Sequence, residues 1–467
     1  MTAILLINGP NLNLLGIRDP KTYGTTTLKE IEDKSLKIAK ELGITINNFQ
    51  SNSEGALIDR IHAARENEDG IIINPGAYAH YSYAIRDAID SVNLPTIEVH
   101  LSDIHKREAF RHHSVIKDVC LKQIVGLGEQ GYYNAIKEIY EHLKAKGIAG
   151  KTPSALIIGA GAVGIGIGAS LLEQGFTVDF VENSQAADCI NQKGIKRIGI
   201  FKHLEFSQGA VKAYTDFHEI SEQFDYILVC TKAMANTTIS KTLFANKQLL
   251  SKHGKIIICQ NGWGGHEKYL AYFPADKVYS ARIITGFSKP EPNISEVTVH
   301  AAPIMLGSLN NAEINALQPL AEAIANGGIP CLVSNDIEKA LWSKMLYNCA
   351  LNPLGAILKL PYGRLMEIPY CVQIMNNIID EIYTVMKASG YQSFWPSANK
   401  YKKVFYDSLI PDTADHYSST LQDIEKKRHS EIDGLTGSVI EIAERFNIAV
   451  PCNKMLYNTI KAIEEDF

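Results

Sequence analysis

A Gly-x-Gly-x-x-Gly sequence, Gly159-Ala-Gly-Ala-Val-Gly164, stands about a third of the way along the chain. The apolar run Leu156-Ile-Ile precedes it and an apolar stretch to about Gln174 follows it, so a buried strand, a tight turn and a helix are predicted. A first full set of alternating strand and helix patterns lies before Gly159 in the chain. The chain is therefore expected to contain two separately folded α/β parts.

Length and composition agree with several globular domains. The 467 residues suggest about three domains, and 46% hydrophobic with 21% charged residues is ordinary for chains that bury cores. The net charge of −5 gives no electrostatic reason to bind nucleic acid or an anionic membrane. No stretch approaches roughly 18 uninterrupted apolar residues, and residues 1–10 lack the basic region of a signal peptide. A cytoplasmic protein with small-molecule ligands, and with no nucleic-acid or membrane partner, is predicted.

Neither a disulfide framework nor a metal centre is predicted. The eight cysteines are scattered, without a Cys-x-x-Cys pair. The cluster of His100, His105, His112 and His113 lacks an i, i+4 pair, and it is interspersed with arginines that would repel a cation. We therefore expect no metal site.

Residues 1–143 alternate short apolar β-type runs with helical patterns. Strands are predicted at Ile4–Ile7, Ile44–Phe49, Gly70–Ile73, Thr96–His100 and Gln123–Gly126. A helix is predicted at Leu28–Leu42, with Thr27 and Glu30 at capping-box spacing. Five strands alternating with helices predict a parallel sheet covered on both faces, with a flavodoxin-like topology.

Residues 144–153 are rich in Gly and Lys and are predicted to form a flexible linker. Residues 154–335 give a second α/β pattern, of Rossmann type. Its strands are predicted at Ala155–Ile158, Thr177–Glu182, Tyr226–Cys230 and Lys255–Cys259. In residues 336–467 the strand signals stop, so an all-helical C-terminal domain is predicted.

Polar loops follow three strands of the first block, where sheets of this kind bind ligands. They are Asn8–Gly24, Asn74–His80 and Glu98–Ser102, and Arg107 and Arg111 come after the last of them. Any one of these residues could equally be a turn or a solvated surface group. As a set they are expected to converge on one crevice.

Together these segments resemble the type II 3-dehydroquinate dehydratases over about residues 3–143. The resemblance implies that Tyr23, as tyrosinate, removes the proton alpha to the ketone and that His100 protonates the departing hydroxyl. Asn11 would hold a water against the enolate oxygen, and Arg18 would lower the pKa of Tyr23. The resemblance further implies substrate contacts from Asn74, His80, Ser102 and Arg111, and supporting or subunit contacts from Asp87 and Arg107.

The physical chemistry agrees with these roles. A free phenol titrates near pH ~10, so a tyrosinate at neutral pH needs roughly 4 kcal/mol of differential stabilisation, which a nearby cation such as Arg18 favours. A base, an acid and an oriented water suffice, so no cofactor is expected for this half. Dehydratases of this type form dodecamers, which implies a homo-oligomer here and leaves a dodecamer open.

In the second block, the glycines Gly159, Gly161 and Gly164 would let backbone N–H groups approach a pyrophosphate at a helix N-terminus. The next strand ends at Glu182-Asn183, where an acid would accept a hydrogen bond from a ribose 2′-hydroxyl. The helical block contributes Lys344, Asn348 and Asn352 at i, i+4 and i+8 on an otherwise apolar helix. This narrow polar stripe is expected to face a cleft.

These motifs, with Cys259–Gly262, Ser418–Asp423 and Arg428–Gly437, resemble the ketopantoate reductases from about residue 154 to the C-terminus. The resemblance implies hydride transfer to the ketone of 2-dehydropantoate, with Lys344 as general acid. It assigns the substrate hydroxyl to Glu431, the substrate carboxylate to Ser419, substrate orientation to Asn348 and Asn352, and a place near the nicotinamide to Asn261.

The cofactor and the reductase substrate stay open at this stage. The family favours NADPH, but relatives that use it tend to carry Arg where Asn183 stands, and Glu182 would repel a 2′-phosphate. NADH is therefore an alternative, although Lys232 remains a candidate partner for the 2′-phosphate of NADPH. The C-terminal half could instead reduce another 2-oxo acid or 3-dehydroshikimate, or could serve as a non-catalytic scaffold.

Overall fold

The computed structural model describes residues 2–17 and 24–467. Two compact units are present: residues 1–153 with 251–254, and residues 154–250 with 255–467. Among the described residues, none of the helices combines the length and apolar character that a transmembrane span requires. All eight cysteines are free thiols.

The first unit is a five-stranded parallel sheet in the order β2-β1-β3-β4-β5, which confirms the predicted flavodoxin-like fold class. The strands are β1 Ala3–Asn8, β2 Thr45–Gln50, β3 Gly70–Asn74, β4 Thr96–His100 and β5 Lys122–Val125. The helices are α1 Leu28–Leu42, α2 Glu54–Asn67, α3 Tyr83–Val92 and α4 Gln130–Ala145.

Both faces of this sheet are buried, as the continuous apolar strands predict. Ile4 and Leu6 pack into the core on one face, and Leu5 and Ile7 pack into the core on the other. Helix α1 has the predicted bounds because the capping box forms: the Thr27 side chain accepts from the Glu30 backbone N–H, and the Glu30 side chain accepts from the Thr27 backbone N–H.

The predicted linker at residues 144–153 differs from the structure in its first part. Helix α4 continues to Ala145, Ala149 is buried in the core of the first unit, and the Thr2 hydroxyl donates to the Ile148 carbonyl at 3.0 Å. Ala149 provides a reason for this packing, because its burial removes apolar surface from water, whereas Ile148 is 40% exposed.

The second unit begins with an eight-stranded sheet in the order β10-β7-β6-β11-β12-β13-β16-β17, parallel except for the β13–β16 pair. These strands are β6 Ser154–Ile158, β7 Thr177–Val181, β10 Lys212–Tyr214, β11 Phe224–Val229, β12 Leu250–Ile258, β13 Val278–Arg282, β16 Ile304–Gly307 and β17 Cys331–Val333. The helices of this part are α5 Ala162–Glu173, α6 Ser184–Lys193, α7 Asn236–Ala245, α8 Gly265–Leu270 and α9 Gln318–Asn326. The Rossmann-type prediction is confirmed.

A separate four-stranded sheet, in the order β14-β15-β8-β9, was not predicted. Its strands are β8 Ile195–Gly199, β9 Leu204–Phe206, β14 Thr285–Glu291 and β15 Ile294–His300. These strands mix charged and apolar residues in short runs, so they lack the continuous apolar pattern that marks the central strands.

The remainder of the chain is helical, as predicted. The helices are α10 Ile337–Leu358, α11 Tyr362–Glu367, α12 Pro369–Ser389, α13 Ala398–Val404, α14 Ser419–Glu425, α15 Ser438–Arg445 and α16 Pro451–Glu464. Helix α10 lies at the centre of this part, and its Trp342 and Met345 are buried in a core shared with α12 and α15. It presents its lysine next to the nucleotide-type sheet, because it also contacts β13 and β16.

Candidate active sites

In the first unit, the C-terminal ends of β1 and β3 are fastened together by a buried tyrosine. Asn8 and Asn74 are direct partners across the two strands. The Asn74 amide donates to the Tyr132 hydroxyl at 2.8 Å, and that hydroxyl donates to Asn8 Oδ1 at 2.6 Å. Burial raises the pKa of Tyr132, so the phenol stays protonated as this bridge requires. Asn74 is thus held rigidly at the strand end.

At the end of β4, His100 is oriented by a buried carboxylate that the sequence analysis did not single out. The His100 Nε2 lies 2.7 Å from Glu98 Oε1, and both residues are buried. Glu98 also accepts from the Ser114 hydroxyl at 2.6 Å and from the Gln123 amide at 2.8 Å. The signal was present in the i, i+2 spacing, which puts both side chains on the same face of a strand.

His80 lies beside this pair. Its ring stacks on that of His100 with centroids 6.3 Å apart, and its Nδ1 lies 2.9 Å from the His113 carbonyl oxygen. Burial lowers the pKa of His80, and the nearby His100 and Arg111 act in the same direction. A largely neutral His80 can therefore serve as a hydrogen-bonding group at neutral pH.

The other predicted residues of this site have the following contacts, with neighbours other than His100 and Asn74. Asn11 adopts a left-handed conformation with φ +65°, and its backbone N–H donates to Asn52 Oδ1 at 2.9 Å. Arg107 donates to the Ser102 hydroxyl at 3.2 Å. Arg111 pairs with Glu108 at 3.0 Å, and Asp87 is exposed on α3. Arg18 and Tyr23 lie outside the described residues.

The histidines of the cluster near His100 are not arranged as metal ligands in the described part of the chain. No group of three or more His, Cys, Asp or Glu side chains among residues 2–17 and 24–467 is placed to hold a metal ion. His112 Nε2 instead lies 2.8 Å from the Arg107 carbonyl oxygen.

In the second unit, the glycine turn after β6 fits a dinucleotide. Gly159 has φ +101°, and a Cβ at Gly164 would lie 2.2 Å from the Gly159 carbonyl oxygen. Gly161 is the N-cap of α5, without a side-chain cap, and apart from its own neighbours along the chain no described atom lies within 4 Å of where its Cβ would stand. The helix N-terminus therefore has free N–H groups facing open space, which a pyrophosphate can occupy.

The residues predicted to choose between NAD and NADP are engaged with protein groups. Glu182 Oε1 accepts from the Asn183 backbone N–H at 2.9 Å and from its side-chain amide at 2.6 Å. Lys232, the candidate phosphate partner, forms an ion pair with Asp423 at 2.8 Å. A second cation, Lys289, donates to the Ala160 carbonyl of the glycine turn at 2.7 Å, and the sequence analysis missed it.

Lys344, Asn261 and Glu431 form a hydrogen-bonded chain between the nucleotide-type sheet and the helical part. The Lys344 ammonium donates to Asn261 Oδ1 and to the Ile283 carbonyl, and the Asn261 amide donates to Glu431 Oε2 at 2.7 Å. The pKa of Lys344 is lowered from 10.5 to about 8, chiefly by burial; Glu431 opposes this change and the positive charge of Arg282 adds to it. Such an amine can release a proton near neutral pH.

The loop that carries Asn261 is packed directly against the segment after Glu431. Gly262 has φ +99°, and a Cβ there would lie 2.1 Å from the Gly434 carbonyl oxygen. The Trp263 backbone N–H donates to that same oxygen at 2.9 Å. The separation of Asn261 and Glu431 is thus fixed by backbone contact.

A cleft of about 220 Å³ opens beside this chain, with Asn261, Lys344 and Asn348 among its lining residues. Asn352 does not line it, although the polar stripe predicted that it would. Eight residues along a helix correspond to a rotation of about 80° and a rise of about 12 Å. Asn352 accepts instead from the buried Tyr362 hydroxyl at 2.7 Å.

Ser419 likewise does not line the cleft. It is exposed at the first residue of α14, while the buried neighbour Ser418 caps that helix by accepting from the Leu421 backbone N–H at 3.1 Å. The cleft wall holds an arginine that the sequence analysis did not select: Arg282, at the end of β13.

Three family profiles match the chain. The one described as "Dehydroquinase class II" matches residues 2–140. Those described as "Ketopantoate reductase PanE/ApbA" and "Ketopantoate reductase PanE/ApbA C terminal" match residues 155–311 and 336–464.

Two curated relatives cover the two parts of the chain. A catabolic 3-dehydroquinase of Emericella nidulans is 56% identical over 142 residues, which is 30% of this chain and 93% of that protein. A 2-dehydropantoate 2-reductase of Aquifex aeolicus is 34% identical over 313 residues, which is 66% of this chain and 96% of that protein.

Solved structures share the fold of the second unit. A ketopantoate reductase from Ralstonia eutropha is 25% identical with a TM-score of 0.58, over 67% of this chain and 99% of that one. A D-mandelate dehydrogenase bound to NADH and anilino(oxo)acetate is 21% identical with a TM-score of 0.59, over the same shares. By these matches, the chain belongs to two enzyme families in succession, the class II dehydroquinases and the ketopantoate reductases.

Proposed function

We propose that the chain is bifunctional: its first part dehydrates 3-dehydroquinate to 3-dehydroshikimate, and its second part reduces 2-dehydropantoate to pantoate. The proposed division is a dehydratase domain at residues 1–143, a connection at 144–153, a dinucleotide-binding domain at 154–335 and a helical domain at 336–467. Assembly of the dehydratase domains into a homo-oligomer is part of the proposal.

For the dehydration, Tyr23 takes the proton from the carbon alpha to the ketone and leaves an enolate. When the enolate returns to a ketone, the carbon–oxygen bond to the β-hydroxyl breaks, and His100 supplies the proton that turns the leaving hydroxide into water. The Glu98–His100 hydrogen bond at 2.7 Å carries this proposal, because a buried carboxylate stabilises an imidazolium and fixes its ring. Asn74, His80, Ser102 and Arg111 would contact the substrate, Arg18 would support the tyrosinate, and Asn11 would orient a water.

For the reduction, an NAD(P)H molecule held by the glycine turn would supply the hydride. As the C–H bond forms at the ketone carbon, the π electrons of the carbonyl move to oxygen, and Lys344 gives that oxygen a proton. The observation that carries this proposal is the Lys344–Asn261–Glu431 chain beside the cleft. Glu431 would also accept from the substrate hydroxyl, and Asn348 would orient the substrate.

Gly159, Gly161 and Gly164 would hold the cofactor pyrophosphate. The adenosine ribose would lie near Glu182 and Asn183. Residue 183 is Asn in this chain and not the Arg that would favour a 2′-phosphate. Glu182 supports NADH as the cofactor, whereas family membership supports NADPH. Lys232 is already engaged with Asp423 and the His429 carbonyl, so a 2′-phosphate would compete with these acceptors for its ammonium group.

The proposal is tested first by following NADPH and NADH oxidation by the full chain with 2-dehydropantoate and, separately, with 3-dehydroshikimate. Turnover of 2-dehydropantoate is expected. Turnover of 3-dehydroshikimate alone would contradict the assignment of Lys344 and Glu431. It would indicate that the reductase part acts on the product of the dehydratase part, so that the chain catalyses two consecutive reactions.

Two substitutions then separate the sites. Tyr23→Phe should abolish formation of the enone from 3-dehydroquinate while leaving reductase activity intact, and Lys344→Ala should do the reverse. Each variant serves as the control for the other. Loss of both activities from either change would refute independent sites.

A further inference from the structure

Arg282 is a buried cation in the wall of the reductase cleft, and it has no partner in the described structure. Arg282 is the last residue of β13, and it is only 7% exposed. The guanidinium makes no hydrogen bond or ion pair with any residue in 2–17 or 24–467, and its Nε is fully buried without an acceptor. Buried charges in proteins are normally paired, so this guanidinium calls for an anion.

Arg197 shows how this chain treats an arginine that has a purely structural task. It is completely buried, and its Nε also lacks an acceptor, but its guanidinium donates to the Ser170 hydroxyl and to the carbonyls of Lys202 and Gly327. The Arg282 guanidinium donates to no oxygen of the described residues. The contrast indicates that the acceptor for Arg282 comes from outside the chain.

The charges around the cleft point the same way. Lys344 and Arg282 both line it, whereas no carboxylate is among its described lining residues and Glu431 is linked to Lys344 through Asn261. Burial is the main cause that lowers the pKa of Lys344 and of His300, and the positive charge of the nearby Arg282 acts in the same direction on both. A cleft with two cations and one nearby carboxylate complements a single negative charge on its ligand.

We propose that Arg282 binds the carboxylate of the 2-oxo acid substrate and leaves the adjacent ketone oxygen to Lys344. This inference rests on the proposed reductase function. The planar guanidinium can give two parallel N–H donors to the two carboxylate oxygens. It takes the place that the family resemblance assigned to Ser419, which is exposed and does not line the cleft.

The first test compares 2-dehydropantoate with its neutral primary amide in the full chain and in Arg282→Met. Loss of a hydrogen-bonded charge pair should lower kcat/KM for the acid by about 10- to 150-fold and change kcat/KM for the amide only slightly. Arg282→Lys should recover part of the preference for the acid. Arg364→Met, at an exposed position of α11, is the matched control and should behave as the unaltered chain. Equal losses for acid and amide, or no loss, would overturn the proposal.

A binding measurement separates this inference from the reductase assignment itself. Isothermal titration of oxamate, with oxamide as its neutral counterpart, needs no turnover and is run with and without NADP⁺ and NAD⁺. Oxamate should bind the unaltered chain and bind Arg282→Met at least 10-fold more weakly, again by loss of a charge-assisted hydrogen bond. This result would stand even if 2-dehydropantoate proved not to be reduced. Absence of oxamate binding to the unaltered chain, or equal binding to Arg282→Met, would overturn the inference.

Discussion

The pH dependence of the reductase follows from the surroundings of Lys344. Burial and the charge of Arg282 bring the pKa of this amine from 10.5 to about 8. That change corresponds to roughly 3 kcal/mol lost by the ammonium form relative to an exposed lysine. Since the proposed general acid must be protonated, activity should be present below this pKa and lost as the pH rises through it.

The expected profile is steep enough to measure. With a pKa of about 8, the protonated fraction falls from about 90% at pH 7 to about 9% at pH 9, so kcat/KM should fall about 10-fold. An exposed lysine would keep nearly all of its activity over this range. The assay is NAD(P)H oxidation at saturating cofactor, with the keto acid well below its KM, between pH 6.5 and 10.

Glu431→Gln provides the internal check. The Glu431 carboxylate raises the pKa of Lys344, so its removal should move the descending limb to lower pH as well as reduce activity. A profile that stays flat to pH 10 in the unaltered chain, or a limb that Glu431→Gln does not move, would refute Lys344 as the group whose proton is transferred.

Three further substitutions test the structure. Glu98→Ala should lower dehydratase kcat by about 10- to 150-fold with little change in KM, because His100 loses a charge-assisted hydrogen bond; steady-state kinetics that show only a raised KM would contradict this. Gly164→Ala should abolish binding of NAD(P)H in a fluorescence titration while dehydratase activity persists, because the new Cβ would meet the Gly159 carbonyl at 2.2 Å. Asn352→Ala should lower the free energy of unfolding by about 1–3 kcal/mol, since it leaves the Tyr362 hydroxyl unpaired, and a calorimetric transition at the unaltered temperature would argue against it.

Much of the fold could be predicted because the buried strands are continuous apolar runs and α1 has strong end signals. The strands β1, β3, β4, β6 and β11 lie within one or two residues of their predicted bounds. The small sheet that contains β8 and β14 could not be predicted, because its short strands mix polar and apolar side chains and because its two hairpins are joined only by the β8–β15 pairing, between residues distant in sequence. Family membership was predicted from motif combinations and was confirmed by the matches.

The candidate sites were predicted less evenly. Spacing along the chain found Lys344 and Asn348, which meet at one cleft. The i, i+2 spacing of Glu98 and His100 was a usable signal, but the Ser114 and Gln123 partners of Glu98 and the surroundings of Arg282 are supplied only by folding. Arg282 in particular is one charged residue at the end of an apolar strand, where sequence alone would place it in solvent. The roles assigned to Tyr23 and Arg18 stay predictions.

The close contact of Gly262 with Gly434 limits how the dinucleotide-binding sheet and the helical part can move relative to each other. There is no room for a Cβ at residue 262, and the Trp263 N–H is bonded to the same carbonyl, so this point acts as a fulcrum between the sheet and the helices. We expect any opening that admits the cofactor to rotate the sheet and the helices about this contact and to break the Lys232–Asp423 ion pair. Hydrogen exchange of the Trp263 amide should then remain slow whether or not nucleotide is bound, and rapid exchange without nucleotide would show that the fulcrum gives way.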